Sequence, residues 1–359
     1  MTAILAVCFT ASGAAALALE LLWMRSAGLV LGATAPTAAT VLACYFGGVA
    51  LGAAAGSGAS TRPVRRYAAL EIGTALGAVW SLAVFRVLAH PAAQRALASA
   101  GIAGRIAAVG VAVLPATVCL GATLPAIGDA LVLPGTVGRR GGLLYALNTL
   151  GGALGIAAVG FGLPVAIGVG ASYGAAAATS ALAGLVALAV RSRPAVLVGT
   201  PPAPALRLLA VAAGAGAAGL ALEVLWIRLF AQVLHNSVYS FAAVSVVFLV
   251  ALAAGAALGG VLLRHVAGVS LAAGALVAAA LATVGGVRLF VHATGGLGYV
   301  GMRTGLGEYV ARIVGLAAAT AGPAAVASGV VLPALWAVVG DRGGAARPMG
   351  ALAAMSVRA

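Results

Sequence analysis

Fifty consecutive residues, from Gly141 to Val190, carry no charged side chain and no histidine. A membrane-spanning helix needs roughly 20 apolar residues, so this run is long enough for two spans. The chain must reverse between them, and Leu163-Pro164 is the expected place because proline disrupts a continuing helix. The segment therefore predicts two neighbouring transmembrane helices.

The rest of the sequence has the same character. Of its 359 residues, 63% are hydrophobic and 7% are charged, whereas roughly a quarter of the residues of soluble domains are charged. Charges and prolines, taken as boundaries, place spans near 3–24, 36–59, 67–89, 105–128, 141–162, 165–190, 207–230, 238–263, 266–290 and 310–339. An eleventh span begins after Arg347, and kinks or breaks are expected at Pro115 and Pro323. The prediction is an all-α integral membrane protein, a polytopic helical bundle of about ten or eleven spans.

The chain contains an internal repeat. Residues 18–25, ALELLWMR, return as residues 221–228, ALEVLWIR, with six of eight positions identical at an offset of 203 residues. Together the two octets hold two of the four glutamates and two of the four tryptophans, so low complexity does not explain the match. An even number of spans per copy predicts two parallel six-helix repeats, related by an axis along the membrane normal.

The repeat also sets the predicted domains. They are a first six-helix transmembrane repeat over 1–194, a linker over 195–206, and a second repeat over 207–359 that is expected to be truncated. Gly52 and Gly56 recur at the same offset as Gly255 and Gly259. Glycines four residues apart allow close approach of a neighbouring membrane helix, so these four are predicted to pack helices.

The basic residues point to the membrane. All twenty are arginines, the net charge is +14, and the arginines are scattered between apolar runs. This pattern favours contact with the lipid bilayer and excludes nucleic acid as the expected partner. Eleven arginines fall in connections on the same side of the membrane as the N-terminus, and eight fall on the opposite side. We expect a multi-pass protein of the cell membrane with its N-terminus in the cytoplasm.

Two glutamates within predicted spans are the leading candidates for function, because a carboxylate in hydrocarbon is costly and usually faces protein, water or a partner charge. Four residues of each copy are predicted to share a helix face: Gly13, Ala16, Glu20 and Trp23, and then Gly216, Gly219, Glu223 and Trp226. Three interpretations stay open. The motif is an interfacial anchor at the headgroups, a pair of carboxylates facing a central cavity that binds a cation or polyamine, or structural pairing with an arginine.

The full set of predicted ligand-binding residues is Glu20, Trp23, Arg25, Glu71, Asn148, Glu223, Trp226 and Arg228. Glu71 fits a buried structural pair or a functional acid equally well, and Asn148 fits an interhelical hydrogen bond or a ligand contact. The two GxGxxG spacings follow no predicted strand. No catalytic residue, metal site or cofactor is predicted.

Several segments resemble the transmembrane portion of the membrane-bound spermidine synthase-like family of polyamine aminopropyltransferase homologues. They are the Glu-x-x-Trp-x-Arg motif at Glu20, Trp23 and Arg25, the segment from Tyr67 to Glu71, residues 121–125 (GATLP), and residues 140–151 with the run YALNTLG. The resemblance implies a soluble, Rossmann-like catalytic domain that uses decarboxylated S-adenosylmethionine. Because no such domain follows here, aminopropyl transfer by this chain alone is not expected.

Three functions follow from these observations. The first is a membrane module that serves as anchor, ligand site or partner for a separately encoded soluble aminopropyltransferase domain. The second is a secondary transporter of a small cationic or polar solute, because parallel six-helix copies with interrupted helices and polar groups at mid-membrane are typical of transporters. The third is a truncated reading frame without independent activity.

Overall fold

The computed structural model describes residues 2–133, 135–190, 204–234, 238–301, 305–339 and 345–358. Within these ranges the chain forms thirteen α-helices and no strand. They are α1 (Thr2–Leu31), α2 (Ala35–Ala55), α3 (Pro63–Leu88), α4 (Pro91–Ser99), α5 (Gly101–Leu131), α6 (Val137–Phe161), α7 (Leu163–Ala189), α8 (Leu206–Val233), α9 (Val238–Leu262), α10 (Gly268–Ala293), α11 (Leu306–Thr320), α12 (Gly322–Val339) and α13 (Ala346–Arg358).

Ten of the described helices are long and apolar enough to cross a membrane. They are α1, α2, α3, α5, α6, α7, α8, α9, α10 and α12. Prolines stand in the first turn of α2, α3, α4 and α7, where the missing N–H costs no hydrogen bond and the fixed φ suits the helix. The predicted polytopic helical bundle is therefore confirmed, and the protein is a multi-pass membrane protein in contact with the lipid bilayer.

Several predicted boundaries can be compared with the helices. The uncharged run forms α6 and α7, which reverse direction at Gly162, one residue before the predicted turn. The predicted tenth span is two helices, α11 and α12, separated by Ala321 close to Pro323. By contrast, α5 continues through Pro115 without a break. The short helix α4, with an apolar face and a polar face, was not predicted, because nine residues are too few to register as a span.

The helix contacts repeat in the two halves. In the first half α1 packs on α6, α2 on α5, and α3 on α5; in the second half α8 packs on α13, α9 on α12, and α10 on α12. The order of elements makes α8, α9, α10, α12 and α13 the counterparts of α1, α2, α3, α5 and α6. Equivalent contacts in the same chain direction are what two parallel repeats produce.

The two halves join most extensively through one pair of contacts, with smaller contacts of α6 on α12 and of α13 on α5. Helix α6 of the first repeat packs on α9 of the second, and α13 of the second packs on α2 of the first. These contacts are themselves symmetry-related, because α6 corresponds to α13 and α2 to α9. Helices α1 and α8 lie between the two contacts, which places the repeated Glu-x-x-Trp-x-Arg motifs at the centre of the bundle.

Some residues used in the predictions lie outside the described part of the chain. They include most of the predicted linker, residues 195–203. They also include four of the arginines counted above to predict the orientation in the membrane, namely Arg191, Arg193, Arg303 and Arg342. The proposed domain limits at 194 and 206 therefore stay predictions, as does the cytoplasmic N-terminus.

Candidate functional site

Glu20 and Glu223 line one cavity at the centre of the bundle. Glu20 comes from α1, where Gly13 and Ala16 precede it on the same helix face and also line the cavity. Helix α8 presents Glu223 in the same way. Sequence alone could not decide whether the two carboxyl groups face a common space, since the order of helices in the bundle was unknown.

The cavity has a volume of about 250 Å³ and is walled by both repeats. Its lining comes from α1, α2 and α6 of the first repeat and from α8, α9, α12 and α13 of the second. A space of this size suits a small molecule rather than a peptide or a large cofactor. It lies between the two repeats.

The two glutamates are the acidic groups of the cavity, and its lining contains no arginine or histidine. Neither carboxyl forms an ion pair with a described residue. The phenol of Tyr45 on α2 lies close enough to interact electrostatically with both acids. Two carboxyl groups in a low-dielectric cavity without a positive partner form a site that favours a cation.

Aromatic rings flank the acids. Tyr45 stacks edge-on with Phe46, with ring centroids 5.0 Å apart, and Tyr145 on α6 contacts Trp336 on α12 with ring centroids 6.2 Å apart. Tyr45, Phe46 and Tyr145 all line the cavity. Faces of aromatic rings attract cations, so these rings are consistent with the charge preference of the acids.

Close backbone contacts hold α1 and α8 against their partners beneath the acids. A Cβ atom at Gly13 would collide with the backbone carbonyl of Asn148 on α6, and a Cβ atom at Gly216 would collide with the carbonyl of Ser356 on α13. The Asn148 amide also donates a hydrogen bond to the carbonyl of Phe9, at 3.0 Å. Asn148 and Ser356 therefore occupy equivalent positions at the cavity wall.

The tryptophans of the repeated motif lie outside the cavity. Trp23 is completely buried, and its indole N–H donates to the hydroxyl of Ser81 on α3 at 2.8 Å. Trp226 is 2% exposed and packs against Phe230 and Phe290, with no hydrogen-bond partner for its Nε1 among the described residues. The sequence predicts each tryptophan on the same helix face as its glutamate. In the structure the tryptophan, one turn after the glutamate, packs in the core of its repeat instead of lining the cavity.

The two arginines of the motif are also separate from the cavity. Arg25 and Arg228 are both exposed, and each lies more than one turn before the end of its helix. Neither forms an ion pair with a described residue. The structure thus divides the motif, with the glutamate at the cavity, the tryptophan in the core and the arginine on the exposed surface.

Glu71 occupies a second, enclosed position inside the first repeat. Its side chain is completely buried in α3 and does not line the cavity. The hydroxyl groups of Ser12, Tyr67 and Ser180 surround it. Of the eight predicted ligand-binding residues, the structure brings Glu20, Glu223 and Asn148 together.

The four predicted packing glycines lie at helix crossings. A Cβ atom at Gly52 would collide with the backbone of Val118 on α5, and one at Gly255 would collide with the backbone of Val326 on α12. Gly56 faces Ala122 at a Cβ distance of 3.0 Å from its Cα, and Gly259 faces Val330 at 3.3 Å. These crossings bring α2 and α9 close to their partners.

Sequence reasoning missed the aromatic wall. Tyr45 and Phe248 both line the cavity and are 203 residues apart. An aromatic pair at the offset of the repeat was the available signal. Ser328 had none, because a lone serine in an apolar helix usually bonds its own backbone, whereas Ser356 lies 208 residues after Asn148, at an offset of the repeat. Among the described residues no cluster of histidine, cysteine, aspartate or glutamate could hold a metal ion.

Comparison with known proteins shows the fold. The chain matches the crystal structure of the E. coli fucose:proton symporter FucP over 99% of its own length and 87% of that chain, with a TM-score of 0.52 and 16% sequence identity. No known protein-family profile matches the chain, and no curated protein matches its sequence. The chain therefore shares the overall helical fold of that symporter structure.

This similarity corrects the resemblance to the membrane-bound spermidine synthase-like family, which was wrong. The fold of the symporter structure covers 99% of the chain, and neither comparison by sequence gives a match to support that family. The quoted motifs misled because they combine small residues with polar groups inside apolar helices, and both kinds of residue serve helix packing in many polytopic bundles. The predicted module for an aminopropyltransferase is wrong for the same reason, and its soluble partner has no support.

Proposed function

We propose that this protein is a secondary transporter that binds a small, positively charged amine between Glu20 and Glu223 and carries it across the membrane. The observation that supports this most is the pairing of two acids from equivalent helices in one central cavity. One acid comes from each repeat. A solute bound to both acids would therefore stay in place while the two repeats move around it. Alternating access requires such a position.

Charge supports the class of solute. Each ionised carboxylate in the bilayer costs several kcal/mol unless it is compensated, and no arginine or histidine lines the cavity to compensate it. An ammonium group supplies the missing charge and three hydrogen-bond donors. A solute with a second amine or hydroxyl would reach both acids. We retain the cytoplasmic N-terminus and the plasma membrane as part of this proposal.

The fold supports the transport step. The symporter to which the chain is similar has the same helical architecture over nearly the whole chain. Helix α1 packs on helices of the first repeat and α8 on helices of the second, so each acid belongs to one repeat while the cavity between them is walled by both. Rocking of one repeat against the other would therefore change the position of the two acids relative to each other.

The test is flux in proteoliposomes that contain the purified full chain. Uptake of radiolabelled ethanolamine, putrescine and the neutral sugar L-fucose would be measured with and without an opposing concentration of the same solute inside. We expect uptake of an amine that is lost in Glu20→Gln and in Glu223→Gln. Uptake of L-fucose alone, undiminished by both substitutions, would contradict the cationic solute.

A matched control is available in the same chain. Glu308 on α11 is exposed, pairs with Arg312 at 2.9 Å and lies outside the cavity. The substitution Glu308→Gln removes one carboxylate from the protein as the test variants do, and it should leave uptake unchanged. Loss of uptake in all three variants would indicate a general effect of charge or folding and would count against the site.

A further inference from the structure

The buried acid Glu71 lies outside the central cavity and has no part in the proposed solute site. Neither of its carboxyl oxygens has a hydrogen-bond partner in the part of the chain that the structure describes, and no described arginine or histidine forms an ion pair with it. An ionised carboxylate left in this state would carry the full cost of an unpaired buried charge. In this conformation the group therefore has to be neutralised, either by a proton or by another cation.

Hydroxyl groups from three helices surround the carboxyl. Ser12 on α1, Tyr67 on α3 and Ser180 on α7 face Glu71, and the hydroxyls of Tyr67 and Ser180 have no hydrogen-bond partner among the described residues. A hydroxyl group donates to a carboxylate and accepts from a carboxylic acid. Small side-chain rotations would thus satisfy Glu71 both with and without a proton. Thr74, one turn later on the same helix face, adds another buried hydroxyl that has no hydrogen-bond partner within the described ranges.

The remaining titratable groups around Glu71 are neutral in their ordinary state. They are the thiol of Cys8 on α1, the thiol of Cys119 on α5, and the phenol of Tyr67 on α3 itself. Helix α7 contributes the hydroxyl of Ser180. None of these groups brings a positive charge, so the cation that neutralises Glu71 has to come from solution.

The backbone around the site favours a proton over a metal cation. Sodium sites in transporters commonly use carbonyl groups from unwound helices. Around Ser12, Glu71 and Ser180 the helices are regular, and the non-helical residue of α7, Gly168, precedes Ser180 by twelve positions. Their carbonyl groups are engaged within the helices, which leaves side-chain oxygens that suit proton exchange.

Helix α1 links this site to the cavity. Ser12 faces Glu71, while the next residue, Gly13, lines the cavity. Helix α7 packs closely on Glu71 as well, because a Cβ atom at Gly184 on α7 would lie 3.2 Å from the Cβ of Glu71. Gain or loss of a proton changes the hydrogen bonds between α1, α3 and α7, and any resulting shift of α1 also moves Glu20.

We propose that Glu71 is a proton-binding site, separate from the central cavity, and that α1 couples its protonation to the movement of the repeats. The proton-binding part stands on the enclosed acid and its hydroxyls. The coupling part rests on the proposed transport function. The two parts are tested by separate experiments, so that failure of one is distinguishable from failure of the other.

Proton binding is tested on the purified full chain by infrared difference spectroscopy between acidic and alkaline buffers, without any solute. We expect Glu71→Gln to remove one carboxylic-acid C=O band, and the exposed control Glu308→Gln to leave that band in place. An identical spectrum for wild type and Glu71→Gln would overturn the proposal. If Glu71→Gln fails to fold, Tyr67→Phe and Ser180→Ala each remove one hydroxyl and should shift the band, and an unshifted band would overturn it.

Coupling is tested in proteoliposomes with radiolabelled putrescine. We expect a pH gradient to drive accumulation in the wild type, and we expect Glu71→Gln to abolish accumulation while keeping exchange of putrescine across the membrane. Accumulation equal to wild type would overturn the coupling. A requirement for a sodium gradient that Glu71→Gln removes would overturn the proton as the ligand. Absence of any putrescine flux in the wild type would refute coupling to this solute and leave the infrared result to decide proton binding.

Discussion

Glu20 and Glu223 face the same cavity from helices that are equivalent in the two repeats. The residues are 203 positions apart in sequence, and each is preceded on its helix by small residues that also line the cavity. The neighbouring wall is not symmetric, since Tyr45 in the first repeat corresponds to Phe248 in the second. The site therefore combines a symmetric pair of acids with an asymmetric wall, which gives a bound solute two unequal ends.

The first prediction concerns the energetic coupling of the two acids. Glu20→Gln and Glu223→Gln should each weaken binding of putrescine by about tenfold or more, because a hydrogen bond to a charged group contributes roughly 1.5–3 kcal/mol. Binding would be measured by calorimetry on the detergent-solubilised protein. If one diamine bridges both acids, the effects in the double variant will not add. Additive effects would indicate that the acids bind separate molecules.

The second prediction uses the two tryptophans as a matched pair. Trp23→Phe removes a buried hydrogen bond and leaves the hydroxyl of Ser81 without its donor, so it should destabilise the protein by about 1–3 kcal/mol more than the loss of ring volume alone. Trp226→Phe makes the same change of ring, and the Trp226 indole N–H has no hydrogen bond to lose to another described residue. We expect a larger fall in thermal stability for Trp23→Phe, and binding of solute should be unchanged in both. Equal falls would contradict the asymmetry.

Much of the fold was predictable from the sequence, for physical reasons. Long apolar runs define spans because each backbone group in a bilayer has to be paired within its own helix, and the octet around Glu20 revealed the repeat. The resemblance drawn from the same octet was wrong, since a glutamate, a tryptophan and an arginine at these spacings suit the end of many membrane helices. Short local motifs were therefore enough to predict the repeat architecture, but they did not identify the family.

The candidate site was predictable only in part. Helix periodicity placed Glu20 on a face with Gly13, which the structure shows as cavity wall, but it placed Trp23 on the same face. The position of Trp23 depends on Ser81 and Tyr45, which belong to other helices. Packing of the whole bundle determines which helices distant in sequence come into contact. The periodicity of a single helix cannot predict these contacts.

The third prediction concerns the helix crossings. Gly52→Ala should destabilise the protein by about 1–3 kcal/mol, because the new methyl group meets the backbone of Val118, which has no rotamer to adjust. Gly255→Ala should act similarly against Val326. The control is Gly174→Ala on α7, where a Cβ atom has nothing within 4 Å. That variant should be neutral or slightly more stable, by up to about 1 kcal/mol, because alanine is the better helix former. Thermal unfolding in one detergent would compare all three.

The fourth prediction tests whether water reaches the cavity. In a background with Cys8, Cys44 and Cys119 replaced by alanine, Ser356→Cys and Ser328→Cys would be exposed to a charged, membrane-impermeant methanethiosulfonate reagent. Both serines line the cavity, so both cysteines should be modified, and saturating putrescine should slow the modification. Ser245 on α9 is completely buried and does not line the cavity, so Ser245→Cys should stay unmodified.

The pattern of labelling also distinguishes a transport cavity from an enclosed void. A cavity that opens alternately to the two sides should admit the reagent from either face of oriented vesicles, because each cysteine meets water in one of the two states. Substitution of Glu20 by glutamine should relieve protection by putrescine without closing the cavity to the reagent. Modification from one face alone, unchanged by putrescine, would show a water-filled pocket that does not exchange sides and would contradict transport through this site.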